Sequence, residues 1–203
     1  MYALVEDNNI TKLITNPKSL VIGDVRYPAK IFSVWSMSEL NAIGIYEVVT
    51  DSTNFKDQAY YNNTNEEYNF ADNQVTRSWG TATPKRLEDE NAVDEDGDPV
   101  LDDDGVQLIN YGLKTEKKRI VKQQASGLLE KTDWHNHKAL DDDTYTIPEN
   151  VKTYRANVRS KSNEMETQID ACTTVEELET LYTYTTDDDG VQSRPLAEFP
   201  EEI

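Results

Sequence analysis

Two stretches of helical periodicity, joined by a short connection, constrain the fold of this chain more than any other feature. In residues 113–130, apolar residues fall on one face of a helix with 3.6 residues per turn: Ile120, Val121, Ala125, Leu128 and Leu129. In residues 147–172, one apolar stripe runs from Val151 through Tyr154 to Cys172. Amphipathic helices joined by roughly fifteen residues fold back on each other, so the pattern predicts an antiparallel helical hairpin.

Capping signals predict where these helices begin. Thr115 is the expected N-cap of the first helix, because its hydroxyl can accept a hydrogen bond from a free amide of the first turn. Pro148 suits the first position of the second helix, where a missing amide hydrogen costs nothing. Residues 174–177, Thr-Val-Glu-Glu, form a capping box and predict a short third helix. Gly127 lies inside the first helix, where we expect it to mark a close helix contact.

Trp134 lies in the connection between the two long helices. A buried tryptophan removes on the order of 150–250 Å² of surface from water. We therefore expect Trp134 to close the end of the hairpin as a buried structural residue, in the same core as Tyr154. On this interpretation, truncation of Trp134 leaves a cavity and destabilises the protein strongly.

Residues 1–82 are predicted to form a small antiparallel β module. Tyr2–Glu6 and Ile10–Ile14 form a hairpin across Asn8 and Asn9, residues that tolerate a positive φ. A second hairpin spans residues 67–79, where polar and apolar residues alternate. Further strands are expected at Ile31–Trp35 and Ile45–Val49, and a short helix between them at 37–43 with Ser36 or Ser38 as its cap and Gly44 after its end.

Residues 87–107 contain ten acidic and no basic residues. The turn dipeptides Asp96-Gly97 and Asp104-Gly105 predict an exposed hairpin arm. Asp-Asp-Asp-Gly-Val-Gln occurs at 102–107 and again at 187–192, which indicates two turns of one type. The predicted fold class is therefore α+β, with a β module at 1–82, an acidic arm and linker at 83–112, a helical hairpin with a short third helix at 113–183, and an extended tail at 184–203.

Charge and composition limit the class of partner. The net charge of −19 argues against nucleic acid and against anionic membranes, and favours a neutral or basic protein. A single cysteine excludes an intrachain disulfide framework. No signal peptide, lipidation motif or long apolar run is visible, so we expect synthesis in a cytoplasm.

The sequence offers weak candidates for metal sites and none for catalysis. His135 and His137 could bind a metal with the nearby aspartates 141–143, but two histidines without a cysteine or third histidine are a weak signal, and a solvated loop is the favoured interpretation. Asp94, Asp96 and Asp103 partly match a calcium loop, and an acidic turn is the alternative. Cys172 lies on the apolar stripe and is interpreted as a packing residue. No nucleophile elbow, zinc-protease motif, phosphate loop or dinucleotide fingerprint is present, so we expect a non-enzymatic protein without a cofactor.

Two segments are candidates for partner binding. Basic residues cluster at 114–122, where Lys117, Lys118 and Lys122 form either a solvated helix face or a docking surface for an acidic segment such as residues 87–107 of the same or a neighbouring copy. In the acidic C-terminal tail, which Pro195 and Pro200 interrupt, Leu196, Phe199 and Ile203 are apolar residues, and we expect them to dock on a neighbouring protein.

The helical region carries a resemblance to a known group of proteins. The residues concerned are Leu128, Leu129, Thr132, Asp133, Trp134, Ile147, Pro148, Val151, Tyr154, Arg155 and Arg159. With the segments 1–6, 38–40 and 44–46, they resemble tail fibre assembly proteins and related tail-module proteins of marine tailed bacteriophages, over about half of the chain. Those proteins often continue after the tryptophan with aromatic and aliphatic residues, whereas this chain has His-Asn-His at 135–137.

The resemblance implies a role in a phage tail. The chain would be a component of the virion that docks on a tail fibre or baseplate protein, and a homo-oligomer is left open. The alternative is an assembly chaperone that binds the fibre and is not retained in the particle. An enzyme such as a depolymerase is the third and least favoured hypothesis.

Overall fold

The computed structural model describes all residues from Met1 to Ile203. It is an α+β protein, with an N-terminal sheet that is mainly antiparallel and a set of C-terminal helices. The chain divides into two compact units, Met1–Thr83 and Pro84–Ile203. Both the acidic arm and the C-terminal tail belong to the second unit.

The first unit is built around a five-stranded sheet. Its elements are β1 (Tyr2–Glu6), β2 (Asn9–Ile14), β3 (Leu20–Ile22), β4 (Val25–Tyr27), α1 (Ile31–Val34), α2 (Met37–Ala42), β5 (Ile45–Thr50), β6 (Tyr61–Asn62), β7 (Glu67–Ala71), β8 (Gln74–Ser78) and β9 (Thr83–Pro84). The large sheet has the order β2-β1-β5-β8-β7, while β3 pairs with β4 and β6 with β9. The prediction of a wholly antiparallel module is wrong at one point, since β5 and β8 are parallel. Alternation along a strand identifies its buried face but not the direction of its neighbour.

Apolar residues cover both faces of this sheet. On one face, Leu4, Ile14 and Ile45 pack with Leu40 of α2 and Ile31 of α1. On the other face the buried residues are Ala3, Val5, Val48 and Val75, with Tyr46, Tyr68 and Phe70 packed against them. The alternation of Tyr2–Glu6 between the two clusters follows from the two-residue period of a strand.

Local signals in this unit are mostly confirmed. Both hairpins form, with positive φ at Asp7 and Asn8 in the first and at Asp72 and Asn73 in the second. Ser36 caps α2 in a capping box with Glu39. Gly44 follows with φ +81°, and a Cβ there would lie 2.6 Å from the Val5 carbonyl oxygen. A residue with a side chain at position 44 would therefore push β1 away.

The predicted strand at Ile31–Trp35 is wrong, because residues 31–34 form the short helix α1. A short apolar run fits either a buried strand or a helical turn. Here only Ile31 of the helix is buried, while Val34 is exposed. Phe32 and Trp35 pack on Tyr2 and Tyr27 respectively, with ring centroids 5.1 and 5.8 Å apart.

The second unit contains the predicted helical hairpin. Its elements are β10 (Glu90–Asn91), β11 (Ile109–Asn110), α3 (Leu113–Glu130), α4 (Asp133–Asp141), α5 (Glu149–Ala171), α6 (Val175–Tyr182), β12 (Thr185–Thr186) and β13 (Gln192–Ser193). Lys118 at the start of α3 pairs with Asp170 at the end of α5, and Arg155 near the start of α5 reaches the Leu129 carbonyl at the end of α3. The two helices are therefore antiparallel. The predicted stripe is buried as expected, and Ser162 fills its apparent gap.

The predicted ends of these helices need two corrections. Gly112, and not Thr115, is the N-cap of α3, because the Asp89 carboxylate takes over the capping role. It accepts hydrogen bonds from the Gly112 amide at 2.7 Å and from the Thr115 hydroxyl at 2.9 Å. Pro148 lies one residue earlier than predicted, at the N-cap of α5. The third helix, α6, begins with the predicted capping box of Thr174 and Glu177.

Candidate interaction surfaces

A buried arginine holds the corner between α3 and α4. One guanidinium nitrogen of Arg155 donates to the Leu129 carbonyl at 2.8 Å and to the Thr132 hydroxyl at 2.7 Å. The other terminal nitrogen lies 2.7 Å from a carboxylate oxygen of Asp133. Thr132 is itself buried, and its hydroxyl donates to the Leu129 carbonyl at 3.0 Å. The planar guanidinium therefore satisfies both the last turn of α3 and the first residue of α4.

This corner turns Trp134 outward. Because Arg155 fixes Thr132 and Asp133, helix α4 begins at once and the next side chain lies on its outer face. Trp134 is 54% exposed, so the prediction that it is a buried plug is wrong. Thr132 occupies the buried position that we expected Trp134 to fill.

Helix α4 presents an aromatic surface. The rings of Trp134 and His135 are stacked, with centroids 3.7 Å apart. His135 Nδ1 is hydrogen-bonded to the Tyr145 hydroxyl, and the Lys138 ammonium lies 4.4 Å from the centroid of the Tyr145 ring. Leu140 is 80% exposed. None of the nine residues of α4 is buried, although the Trp134 and Tyr145 ring centroids lie 6.3 Å apart. We call this surface the α4 face.

The basic residues of α3 are engaged within the chain. Lys118 donates to an Asp170 carboxylate oxygen at 2.7 Å, a bond that raises the pKa of the ammonium. The Lys122 nitrogen lies 3.2 Å from a carboxylate oxygen of Glu166, and that of Lys117 lies 4.6 Å from the centroid of the Tyr182 ring. Buried Lys114 pairs with Glu88 at the base of the acidic arm. Of this basic cluster, Lys114 reaches the acidic segment, through Glu88, whereas Lys117, Lys118 and Lys122 contact residues of the helical region.

The C-terminal segment packs on its own unit. Leu196 is only 2% exposed, and its amide donates to the Leu181 carbonyl at 3.0 Å. The Gln168 side chain binds the neighbouring backbone twice, accepting from the Ala197 amide at 2.8 Å and donating to the Pro195 carbonyl at 3.1 Å. Phe199 packs against a buried cluster formed by Ala125, Tyr154 and Val158. Leu196 is therefore buried within its own unit and Phe199 is partly buried there, while the binding of these residues to a partner stays a prediction.

The end of the chain is held differently. Ile203 is 63% exposed, while the preceding residue Glu202 pairs with Lys131 through both carboxylate oxygens. Of the three tail residues proposed for partner binding, Ile203 is exposed, Phe199 is partly buried and Leu196 is buried. The Pro-containing tail forms a strap, a segment held on its own unit, because Leu196 is buried and the backbone around it bonds to Gln168 of α5 and Leu181 of α6.

The weak metal candidates do not come together in the structure. No group of three or more histidine, cysteine, aspartate or glutamate side chains is arranged to hold a metal ion. One oxygen of Asp94 accepts hydrogen bonds from the amides of Asp96 and Asp98, as expected for an acidic turn. Cys172 is buried and burial raises the pKa of its thiol, which agrees with a packing role.

The acidic arm contains a repeat that the sequence interpretation missed. Three short segments of the arm pair with one another, so that each segment contacts the other two. The paired residues are Asn91 and Ile109, Val93 and Pro99, and Leu101 and Gln107. Val93, Leu101 and Ile109 follow each other at eight-residue spacing, and so do their partners Asn91, Pro99 and Gln107. The Asp-x-Asp-Gly turns beginning at residues 94 and 102 have the same spacing, which is the signal that could have revealed the repeat.

Backbone hydrogen bonds close this arm into a ring. The Ala92 amide donates to the Leu108 carbonyl at 2.8 Å, that of Leu108 to the Val100 carbonyl at 2.9 Å, and that of Val100 to the Ala92 carbonyl at 2.9 Å. The Gln107 side-chain nitrogen lies within 2.7–3.1 Å of the same three carbonyl oxygens. The arm is thus ordered by polar bonds around its centre.

Comparison with known proteins adds no relative. No protein-family model, curated protein or solved structure matches this chain. None of the helices is both long enough and apolar enough to cross a lipid bilayer.

Proposed function

We propose that this chain is a non-enzymatic tail-module protein of a tailed bacteriophage, retained in the virion beside a tail fibre or baseplate protein. It acts by docking, and the α4 face is its principal contact. The observation that carries the proposal is that Thr132, Asp133, Trp134 and Arg155, which carry the resemblance to phage tail proteins, build this exposed aromatic face.

The α4 face is unfavourable in free energy for so short a helix. A nine-residue helix is marginal in water on its own, and most helices gain their stability by burying an apolar face. Helix α4 buries no residue, yet it carries Trp134 and Leu140 on its surface. Tryptophan is enriched among the residues that contribute most to protein–protein binding. A partner that covers Trp134 supplies the apolar burial that α4 lacks.

The polar surroundings define the type of partner. His135 stacks on the exposed Trp134 ring and Lys138 lies over the Tyr145 ring, so a partner with an apolar centre and carboxylate or carbonyl groups at its edge is complementary to this face. A partner in the same particle could be a fibre or a baseplate protein.

Mass spectrometry of purified particles tests the proposal. Peptides of this chain in mature virions, at a constant ratio to the tail proteins, are the expected result. Peptides in the infected lysate but not in the virion would favour the assembly chaperone, and their absence from both would remove the phage assignment.

A pair of variants tests the role of the α4 face within that assignment. Particles carrying Trp134→Ala are expected to lose the chain during purification, because the apolar contact is removed. Val34→Ala, at an exposed apolar residue of α1 in the other unit, is the matched control and should be retained. Equal retention of both variants would show that docking does not depend on Trp134.

A further inference from the structure

We infer that the acidic arm of one copy docks onto the β3–β4 hairpin of a second copy. The acidic arm comprises residues 90–111. The receiving surface, which we call the basic ribbon, comprises residues 12–30 and includes β3 and β4. The inference does not depend on the phage assignment, because it concerns the association of the purified chain with itself.

The arm presents aliphatic side chains at matching positions of its repeat. Val93, Leu101 and Ile109 are equivalent by the eight-residue spacing, and all three are exposed, as are Val106 and Leu108. The ring of backbone bonds and the Gln107 amide hold the arm in place, so the exposed side chains are not merely the result of a loosely ordered loop. An ordered element that leaves its apolar residues outside is typical of an interaction surface.

The arm also carries uncompensated negative charge. The base of the arm is neutralised locally, since Glu88 pairs with Lys114 and Glu90 with Arg86. The seven acidic residues of the two turns form no ion pair: Asp94, Glu95, Asp96, Asp98, Asp102, Asp103 and Asp104. A surface with aliphatic residues between such turns is complementary to an apolar patch bordered by basic side chains.

The basic ribbon has that complementary chemistry. Residues 12–30 contain four basic residues and one acidic residue, in a chain with 20 basic and 39 acidic residues. Val21 and Arg26 are cross-strand partners on the outer side of the β3–β4 hairpin, since Leu20 on the opposite side is buried in the core. Val21 and Arg26 are both exposed on this outer side. Lys12 and Lys18 line one surface depression beside β2.

The basic ribbon differs from the basic part of α3 because its basic side chains form no ion pairs within the chain. The lysines of α3 are engaged by Glu88, Glu166, Asp170 and the Tyr182 ring, as described above. By contrast, Lys12, Lys18, Arg26 and Lys30 form no ion pair. The ribbon is therefore the basic surface left free for the arm of a neighbour.

The overall charge of the chain does not prevent this contact. Two copies with a net charge of −19 repel each other at long range, but charges further apart than about 8 Å are largely screened at physiological ionic strength. The arm and ribbon charges would be in direct contact. The two surfaces are small, and interfaces below about 1,200 Å² are typical of weak, transient complexes. We expect a heterologous, head-to-tail association that weakens with added salt.

Sedimentation of the purified full-length chain tests the inference. At 0.15 M salt we expect the average mass to rise above 23.2 kDa with increasing concentration. A chain that stays monomeric up to about 1 mM, the dissociation constant of a very weak complex, would overturn the proposal.

The duplicated turn supplies a closely matched pair of variants. In the arm, Asp103→Asn, Asp104→Asn and Val106→Ser are combined. In the C-terminal turn, the control combines Asp188→Asn, Asp189→Asn and Val191→Ser. The two turns share their sequence, their internal hydrogen bonds and nearly equal exposure of the valine, 60% and 58%. Both variants change the net charge equally, so a difference between them cannot come from overall repulsion.

The expected result is a loss of association in the arm variant alone. Its association constant should fall by about tenfold or more, whereas that of the control should stay within about twofold of the original chain. Equal effects of the two variants would overturn the assignment of the arm.

A mixing experiment tests the ribbon and the head-to-tail geometry. The ribbon variant combines Lys18→Gln, Val21→Ser and Arg26→Gln, all at exposed positions. Each variant alone should remain monomeric. An equimolar mixture of arm and ribbon variants retains one intact arm and one intact ribbon, so it should form a one-to-one dimer. A mixture that stays monomeric, or a ribbon variant that associates like the original chain, would overturn the proposal.

Discussion

Replacing Arg155 by alanine is the most informative perturbation of this structure. Arg155 is buried and bonded to the Leu129 carbonyl, the Thr132 hydroxyl and the Asp133 carboxylate. The substitution removes all three interactions and leaves a space at the start of α5. We expect it to destabilise the second unit and to release α4 before the rest of that unit unfolds.

The magnitude follows from what each partner loses. Breaking a buried ion pair by removing one partner costs about 3–5 kcal/mol, because a charge is left buried. Asp133 is nearly half exposed and recovers hydration, so that part is small. After the substitution, the Leu129 carbonyl still accepts a hydrogen bond from the Thr132 hydroxyl. The Thr132 oxygen no longer accepts one from Arg155, and an unsatisfied buried group costs about 1–3 kcal/mol. With the lost packing of the arginine stem, we expect about 3 kcal/mol in total.

Urea unfolding and thermal unfolding measure this effect. For a unit of this size, about 3 kcal/mol corresponds to a decrease in Tm of roughly 10–15 °C. Hydrogen exchange locates the loss, since the amides of α4 should exchange faster than those of α3 and α5. Asp133→Asn is the matched control, and an ion pair with a half-exposed carboxylate should contribute about 1 kcal/mol or less.

Two results would refute this reasoning. A decrease of less than about 1 kcal/mol for Arg155→Ala would mean that the corner is held by packing alone. Full stability of Arg155→Lys would mean that the fork geometry is not used, since a single ammonium cannot reach all three acceptors in the same way.

Four further substitutions have defined outcomes. Trp134→Ala should change the free energy of unfolding by less than about 1 kcal/mol, because the ring is exposed, and a large loss in thermal unfolding would contradict this. Gly127→Ala should stabilise by about 0.5–1 kcal/mol in urea unfolding, since an added Cβ meets no atom within 4 Å and alanine favours the helix; a destabilised variant would indicate a hidden contact. Leu196→Ala should cost about 2–5 kcal/mol, whereas an unchanged Tm would mean that the strap is not part of the core. Burial raises the pKa of Tyr182 to about 12 from 10.0, so the folded state holds this proton more tightly than the unfolded state. The resulting stability should be present below pH 10 and lost between pH 10 and 12, and Tyr182→Phe should abolish that component of the pH profile.

Local signals predicted α2, α3, α5, α6 and the hairpins β1–β2 and β7–β8, but not α1, α4 or the β3–β4 hairpin. The stripe from Val151 to Ile169 is buried along α5, and the capping boxes of Ser36 and Thr174 form as expected. These features depend on residues three or four positions apart, so the sequence contains the whole interaction. The cap of α3 was missed because its acceptor, Asp89, lies 23 residues before Gly112.

The surfaces were predicted less well because contacts between distant residues decide them. Trp134 was assigned to the core from its size and its position between two helices, but Arg155, 21 residues later, fixes the start of α4 and turns the ring outward. Leu196 was assigned to a partner from its polar surroundings in the sequence. Its burial depends on Gln168 and Leu181, which belong to helices that precede the tail. In both cases the sequence correctly identified an apolar side chain. Residues nearby in the sequence could not show whether that side chain is buried or exposed.

The α4 face and the acidic arm are held in place in a similar way, and this affects the docking proposed for each of them. Each exposes large apolar side chains, and each is held in place by a polar side chain that binds several backbone or hydroxyl oxygens at once: Arg155 at the corner of α4, and Gln107 at the centre of the arm. Such preorganised surfaces lose little conformational entropy when a partner arrives, so small contact areas can still give specific binding. We therefore expect substitutions of Arg155 or Gln107 to weaken docking even though neither residue reaches a partner.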